Sequence, residues 1–246
     1  PAGSIFKILV SMYIESRRPD LAGRHFTCTG KSQDPNLPEK CDKPGGHGEL
    51  TLAEALPRSC NHFFCSLYAH IDRTDFMEFM RAMNREFGLT IRVPDTADDV
   101  SFAKLLAGLD FRATMSVRDA IALARIIDSS HTDNEYSNTG LSILPPPVRM
   151  KLQTFLYDTF IHGTAAPNEG ETDDASGMPD AFSVWGKTST YLYGTNSTHA
   201  CGTFLGGKGD TGIIVVTNGG NGRKAALQAL RLIAAGRNAQ QEMPEE

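Results

Sequence analysis

The sequence is poor in the residues that announce a special environment. It has one tryptophan and five cysteines in 246 residues, and aromatic residues make up 8%. Five cysteines are too few for a small disulfide-built scaffold, and an odd number leaves at least one thiol unpaired or shared between chains. No apolar run approaches the length of a membrane-spanning helix, about 18 residues. No long basic run occurs either. The 24 Lys and Arg face 29 Asp and Glu, a formal net charge of −5, which argues against a nucleic-acid groove or a polybasic membrane patch. Internal repeats and low-complexity tracts are also missing. What is present is an ordinary balance: 40% hydrophobic residues spread throughout, enough to bury a core and to exclude intrinsic disorder. The start is unusual, Pro1-Ala2-Gly3-Ser4, with no methionine and no signal sequence.

The pattern predicts helices first and strands late. Ile5 to Ile14 is apolar except at Lys7 and Ser11, as expected of a helix inside the domain. Thr51 and Glu54 form a capping-box pattern. Further helices are expected over Asn61–Ile71, Asp75–Phe87 (ending at Gly88), Ser101–Leu109 with Ser101 as its cap, Val117–Ile127 and Val148–His162. Phe182–Leu192, Ala200–Leu205 and Gly212–Thr217 read as strands, the last two joined by a tight turn at Gly207-Lys208-Gly209-Asp210. Lys224–Ala235 reads as a returning helix, and Pro167–Pro179 as an acidic surface loop. The class is α+β, a helical region plus an antiparallel sheet flanked by helices, in a single domain over residues 1–246.

Ser4 and Lys7 stand three apart and project from one helix face. Lys7 is the only charge in its apolar segment, and desolvation disfavours an ammonium ion there. A serine hydroxyl beside a neutral amine is an activated nucleophile, and Gly3 allows a sharp turn that exposes it. A second Ser-x-x-Lys, Ser101 to Lys104, reads as a cap and a solvated face. Spacing alone leaves Ser4 and Lys7 open between an active pair and a serine with a lysine snorkelling from the core.

Two further motifs follow: Ser59-Cys60-Asn61 at a helix start and Lys187-Thr188-Ser189-Thr190 on the first late strand. With Ser4-x-x-Lys7, the sequence resembles the penicillin-binding transpeptidases and serine β-lactamases, above all the high-molecular-weight transpeptidase domains. The surroundings of the motifs resemble them too, in Pro1 to Lys7, His47 to Phe64, Phe87-Gly88 and His162-Gly163-Thr164-Ala165. The resemblance implies a β-lactamase/transpeptidase-like fold and a serine acyltransferase acting on peptidoglycan stem peptides ending in D-Ala-D-Ala, with β-lactams as substrate mimics. It implies Ser4 as nucleophile, Lys7 as base, Ser59 as proton relay and Lys187 as a positive group serving the relay. Asn61 would hold the substrate's acyl side chain and Thr188 its carboxylate, while Ser4 and Thr190 would supply the oxyanion-hole N–H groups. It also implies work outside the cytoplasm, possible contact with other cell-wall proteins, and no cofactor. The family carries sheet strands and usually an anchor before the nucleophile, so the chain is expected to be an N-terminally truncated fragment or to be completed by another chain.

The sequence departs from the family in two places. Ser189 stands where the family has glycine on the strand lining the substrate channel. It leaves two readings, a working enzyme and a non-catalytic domain that binds wall peptide or β-lactam as a sensor or scaffold. The Glu-x-x-x-Asn pattern of the deacylating class A β-lactamases is missing between Asn61 and Lys187, which favours transpeptidase or carboxypeptidase over β-lactamase. Outside the cytoplasm, Cys28 and Cys41 could be joined as a disulfide or stay free, and the sequence leaves the two states open. Cys60, Cys65 and Cys201 read as core packing. A metal bound by His25, His47, Cys60 and Cys65 is not expected, because no Cys-x-x-Cys or His-x-x-x-His spacing occurs.

Overall fold

The computed structural model describes residues 1–31, 34, 37, 41–128, 143–166, 183–194, 199–209 and 211–241. Gly3–Ile5 form a 3₁₀ turn that runs into α1 (Phe6–Arg17), and α2 (Pro19–Ala22) follows. Helix α1 is the axis of the helical region. Phe6, Ile8, Leu9, Val10, Met12 and Ile14 are wholly buried, and so are Lys7 and Ser11, as a helix apolar on every side requires.

A two-stranded ribbon comes next: β1 (Phe26–Cys28) pairs antiparallel with β2 (Gly48–Leu50), setting Cys28 opposite Gly48. Helix α3 (Leu52–Ala55) starts at the predicted capping box of Thr51 and Glu54, and α4 spans Asn61–Ser66. Helix α5 (Arg73–Phe87) is capped by Asp72, whose carboxylate accepts the Asp75 N–H at 2.8 Å. It stops at Gly88, whose φ of +61° is where glycine is favoured. Its buried residues Phe76, Phe79, Met80 and Met83 follow helical spacing and meet α1, with Tyr13 edge-on to Phe76 at 5.3 Å and to Phe79 at 5.5 Å. Burying each such side chain stabilises the fold by about 1.5–3 kcal/mol.

Helix α6 (Asp99–Leu106) begins two residues before the sequence expectation. Its cap is Asp98, which accepts both the backbone N–H and the hydroxyl of Ser101, so Ser101 is a first-turn residue and not the cap. Among the described residues, helices α7 (Val117–Ile127) and α8 (Pro146–Tyr157) follow in the helical region.

The late segment is a meander, β3 (Trp185–Tyr193), β4 (His199–Lys208) and β5 (Thr211–Asn218), antiparallel in that order, with α9 (Gly222–Gln241) packed on it. Lys208 pairs with Thr211 across the predicted turn, where Gly209 has φ +56°; Asp210 lies outside the described residues. Alternate residues of the sheet serve two cores. Trp185 and Leu205 join the helical core, while Phe204 and Val215 pack with Ala225, Ala226, Ala229 and Leu230 of α9. Lys187 pairs with Leu205, so odd-numbered residues of β3 face the helices and even-numbered ones face α9. The expected acidic loop 167–179 and the expected strand start at Phe182 lie outside the described residues.

Candidate active site

The first backbone N–H of the turn is fixed from outside, with Ala2 N–H donating to Ala113 O at 2.8 Å. Gly3 then turns the chain at φ +54° and Ser4 enters the 3₁₀ turn. One turn on, Lys7 brings its Nζ to 3.0 Å from Ser4 Oγ. The same nitrogen lies 2.8 Å from Asn61 Oδ1 and 2.7 Å from Ala107 O. Three oxygens therefore surround an amine that is wholly buried.

That count matters for the chemistry. An ammonium ion donates to all three oxygens, whereas a neutral amine has two N–H groups and one lone pair. Asn61 Oδ1 and Ala107 O can only accept, so in the neutral form they take the two N–H groups and leave the lone pair for the Ser4 hydroxyl. Burial pushes the Lys7 pKa from 10.5 down to about 8, within reach of the neutral form near ordinary pH. Phe64 of α4 supplies part of the apolar wall, with its ring centroid 5.7 Å from Nζ.

Ala107 reaches Lys7 because Gly108, at φ +67°, lets the chain after α6 run against the turn that holds Ser4. A Cβ at Gly108 would stand 2.2 Å from Gly3 O. Nothing in the sequence marked Ala107, since a backbone carbonyl carries no residue signature; Gly108 was the only readable sign.

Ser59 is 5% exposed and holds φ +54°, in the region that favours glycine; among the described residues it is the one non-glycine with positive φ. Cys60, not Ser59, caps α4, its Sγ accepting the Phe63 N–H. This leaves the Ser59 hydroxyl outside any hydrogen bond in the described structure. Thr164 N–H donates to Pro57 O at 3.1 Å, and the Thr164 and Thr188 hydroxyls share a short hydrogen bond. The His162-Gly163-Thr164-Ala165 segment thereby bridges the Ser59 turn and β3.

On β3, Lys187 and Ser189 face the helices. Lys187 is wholly buried, its Nζ donating to Thr188 O at 2.9 Å. Burial, with the nearby Lys7 charge as a second cause, holds its pKa well below the usual lysine value. Ser189 does not turn away from the site: its Oγ accepts the Ser4 backbone N–H at 3.0 Å. Thr188 and Thr190 lie on the α9 side, and the Thr190 hydroxyl accepts the Gly222 N–H at 2.9 Å. Ser4, Lys7, Asn61 and Ser189 are thus in direct contact, while Thr188 and Thr190 spend their hydroxyls on neighbouring segments.

Beside this centre lies a cleft of about 510 Å³ lined by Lys43, His47, Arg58, Thr164 and Arg223 among others. Among the described lining residues are three bases, Lys43, Arg58 and Arg223, and one acid, Asp42.

The cysteines behave differently from expectation. All five are free thiols, so the Cys28–Cys41 disulfide, left open by the sequence, is not formed. Cys65 is core packing as expected, but Cys60 is not merely that: its sulfur lies 4.0 Å from Cys41 Sγ.

No protein-family model and no curated sequence matches the chain. Solved structures do. The penicillin-binding protein PBP2 of Pseudomonas aeruginosa, in complex with WCK 5153, aligns at TM-score 0.68 and 15% identity, over 95% of this chain and 60% of that one. A peptidoglycan glycosyltransferase of Burkholderia ambifaria aligns at TM-score 0.70 and 14% identity, over 99% and 80%. The D,D-transpeptidase domain of an Eggerthella lenta peptidoglycan glycosyltransferase aligns at TM-score 0.64 and 16% identity, over 98% and 66%. The chain thus spans less than two thirds of the PBP2 chain. It has the fold of penicillin-binding-protein transpeptidase domains, as its motifs implied.

Proposed function

We propose that the chain carries a penicillin-reactive serine acyltransferase centre of the D,D-transpeptidase or carboxypeptidase type, with Ser4 as nucleophile. The observation that carries this reading is the coordination of Lys7 Nζ by Ser4 Oγ, Asn61 Oδ1 and Ala107 O, which leaves the neutral amine one lone pair, aimed at the serine. A domain kept only for binding has no need of a desolvated lysine held in this way.

In this reading the Lys7 lone pair takes the Ser4 proton as Oγ attacks the carbonyl carbon of the terminal D-Ala-D-Ala bond. The carbonyl oxygen gains the negative charge and is held by the Ser4 and Thr190 N–H groups. The C–N bond breaks, and the proton passes from Lys7 through Ser59 to the departing amine, leaving an ester on Ser4. An amine or water then takes the acyl group. The hydroxyl of Ser59, outside any hydrogen bond among the described residues and two residues before Asn61, suits the relay. Lys43 and Arg58, on the lining of the cleft, suit a substrate ending in carboxylate. A β-lactam follows the same first step, with ring opening in place of amine departure. Stem peptides of this kind lie outside the cytoplasm, and we assign the domain to that side.

Fluorescent penicillin tests the reading. The intact protein is expected to carry a covalent label that survives denaturation, and Ser4→Ala to carry none. Equal labelling of both proteins would remove Ser4 from the role.

A further inference from the structure

Apart from the serine centre, one group of chemically potent side chains has no part in acyl transfer. The ligating atoms of Cys28, Cys41, His47 and Cys60 all lie within 4.8 Å of one another, and the three cysteines are buried. They come from separate places: Cys28 ends β1, Cys41 and His47 lie on the segment leading into β2, and Cys60 caps α4. The pairing of β1 with β2 draws the first three together. The chain also crosses itself tightly there, since Cys41 N–H donates to Gly30 O at 2.9 Å and a Cβ on Gly46 would stand 2.0 Å from Cys28 O.

The separations have a particular meaning. A tetrahedral zinc ion with Zn–S near 2.3 Å and Zn–N near 2.0–2.1 Å sets its sulfurs about 3.8 Å apart and its sulfur–nitrogen edges at about 3.5 Å. Here His47 Nδ1 is 3.6 Å from Cys28 Sγ and 3.5 Å from Cys41 Sγ, and Cys41 Sγ is 4.0 Å from Cys60 Sγ. A disulfide needs sulfurs at about 2.05 Å, and any such bond would strand the third thiol and the imidazole in the same pocket. The outer groups fit a metal as well. His62 Nδ1 lies 3.6 Å from Cys28 Sγ, and the Phe63 N–H points at Cys60 Sγ at 3.5 Å, contacts that suit thiolate sulfur.

We propose that Cys28, Cys41, His47 and Cys60 form a tetrahedral zinc site. Three thiolates and an imidazole are a soft donor set suited to Zn²⁺, and with all four positions filled by protein the site is structural. Binding releases the thiol protons to solvent as the metal–sulfur bonds form. Cys60 lies between Ser59 and Asn61, so the metal ties the β1–β2 segment to that turn and stabilises its strained backbone. His47 also lines the cleft, so the metal stands behind one wall of it.

The test uses tag-free protein purified with a thiol reductant, because a histidine tag binds zinc itself. Elemental analysis is expected to find about one zinc per chain. Strong chelation is expected to remove it and to lower the melting temperature by roughly 10 °C, restored by added zinc. Cys41→Ser and His47→Ala are each expected to lose the metal, and Cys201→Ser, outside the cluster, to keep it. Should Cys41→Ser fail to fold, His47→Ala and the metal content of the unaltered protein still decide. Cobalt uptake adds a direct signature: thiolate-to-cobalt charge-transfer absorption, present in the unaltered protein and weakened in Cys41→Ser. Metal-free protein that takes up neither zinc nor cobalt would overturn the proposal. So would a disulfide joining two of the three cysteines in the isolated protein.

Discussion

Ser189 Oγ accepts a hydrogen bond from the backbone N–H of Ser4 at 3.0 Å, and that N–H is one of the two proposed to hold the oxyanion. Ser189, which stands where the resembled transpeptidases have glycine, therefore occupies part of the proposed oxyanion hole in the resting protein. The magnitude decides what this does. A neutral hydrogen bond is worth about 1 kcal/mol net, whereas bonds to a charged oxygen are roughly twice as strong. The developing oxyanion displaces the hydroxyl at a cost and is not shut out.

Ser189→Gly is therefore expected to be acylated by penicillin about fivefold faster than the natural protein, the rate equivalent of one such bond. The glycine itself costs the strand about 0.5–1 kcal/mol, so the variant should be slightly less stable and yet faster. Rapid-mixing acylation rates check this. An unchanged or slower rate contradicts the role given to Ser189.

The acylation rate is expected to rise with pH through about 8 and then level off, because Lys7 accepts the Ser4 proton only when neutral. The stability has the same sign. Between about 8 and 10.5 the unfolded chain binds more protons at Lys7 than the folded one, so stability climbs across that window and is flat with respect to Lys7 below it. Lys7→Arg, permanently charged, should abolish acylation at every pH. A flat pH–rate profile with a folded protein contradicts the general-base role.

Gly108→Ala is expected to damage the centre from outside it. The new methyl meets Gly3 O at 2.2 Å, in a backbone conformation that alanine adopts only under strain, and the loop that holds Ala107 O against Lys7 must move. A fall in acylation rate of tenfold or more, with a drop in melting temperature, is the expected pair of readings. Near-normal acylation would show that the Ala107 carbonyl does not position Lys7.

Asp119 makes a prediction about the fold alone. It is 2% exposed, and its carboxylate accepts the Thr90 and Ser116 backbone N–H groups at 2.7 and 3.0 Å as well as both hydroxyls. Asp119→Ala breaks the capping box that Asp119 forms with Ser116, the cap of α7, and strands these donors, which costs about 2–4 kcal/mol. Chemical denaturation should register that loss while Ser4 still reacts well below the melting temperature. An unchanged denaturation midpoint would contradict it.

Much of this was legible in the residues. An apolar run broken only by Lys7 and Ser11 marked the central helix; Gly88 marked a helix end; the order of three short motifs marked the fold. The direction of Ser189 was nearly legible as well, because it shares its parity on β3 with Lys187, yet only the pairing with β4 decides which face meets Ser4. The cysteine cluster was hidden for a different reason. Its members are far apart in sequence, and what joins them is the pairing of two three-residue strands, each too short to give a period. That Ser59 takes a left-handed backbone and Cys60 caps α4 was not legible, because nothing in a sequence reports a positive φ.

The most direct test of the central claim is the intact mass of the protein after reaction with benzylpenicillin, followed by peptide mapping. A gain of one penicillin per chain, located on the peptide holding Ser4 and missing in both Ser4→Ala and Lys7→Arg, is the predicted result. An unmodified mass in folded protein, or an adduct that maps to a cysteine or to any serine other than Ser4, would contradict the account.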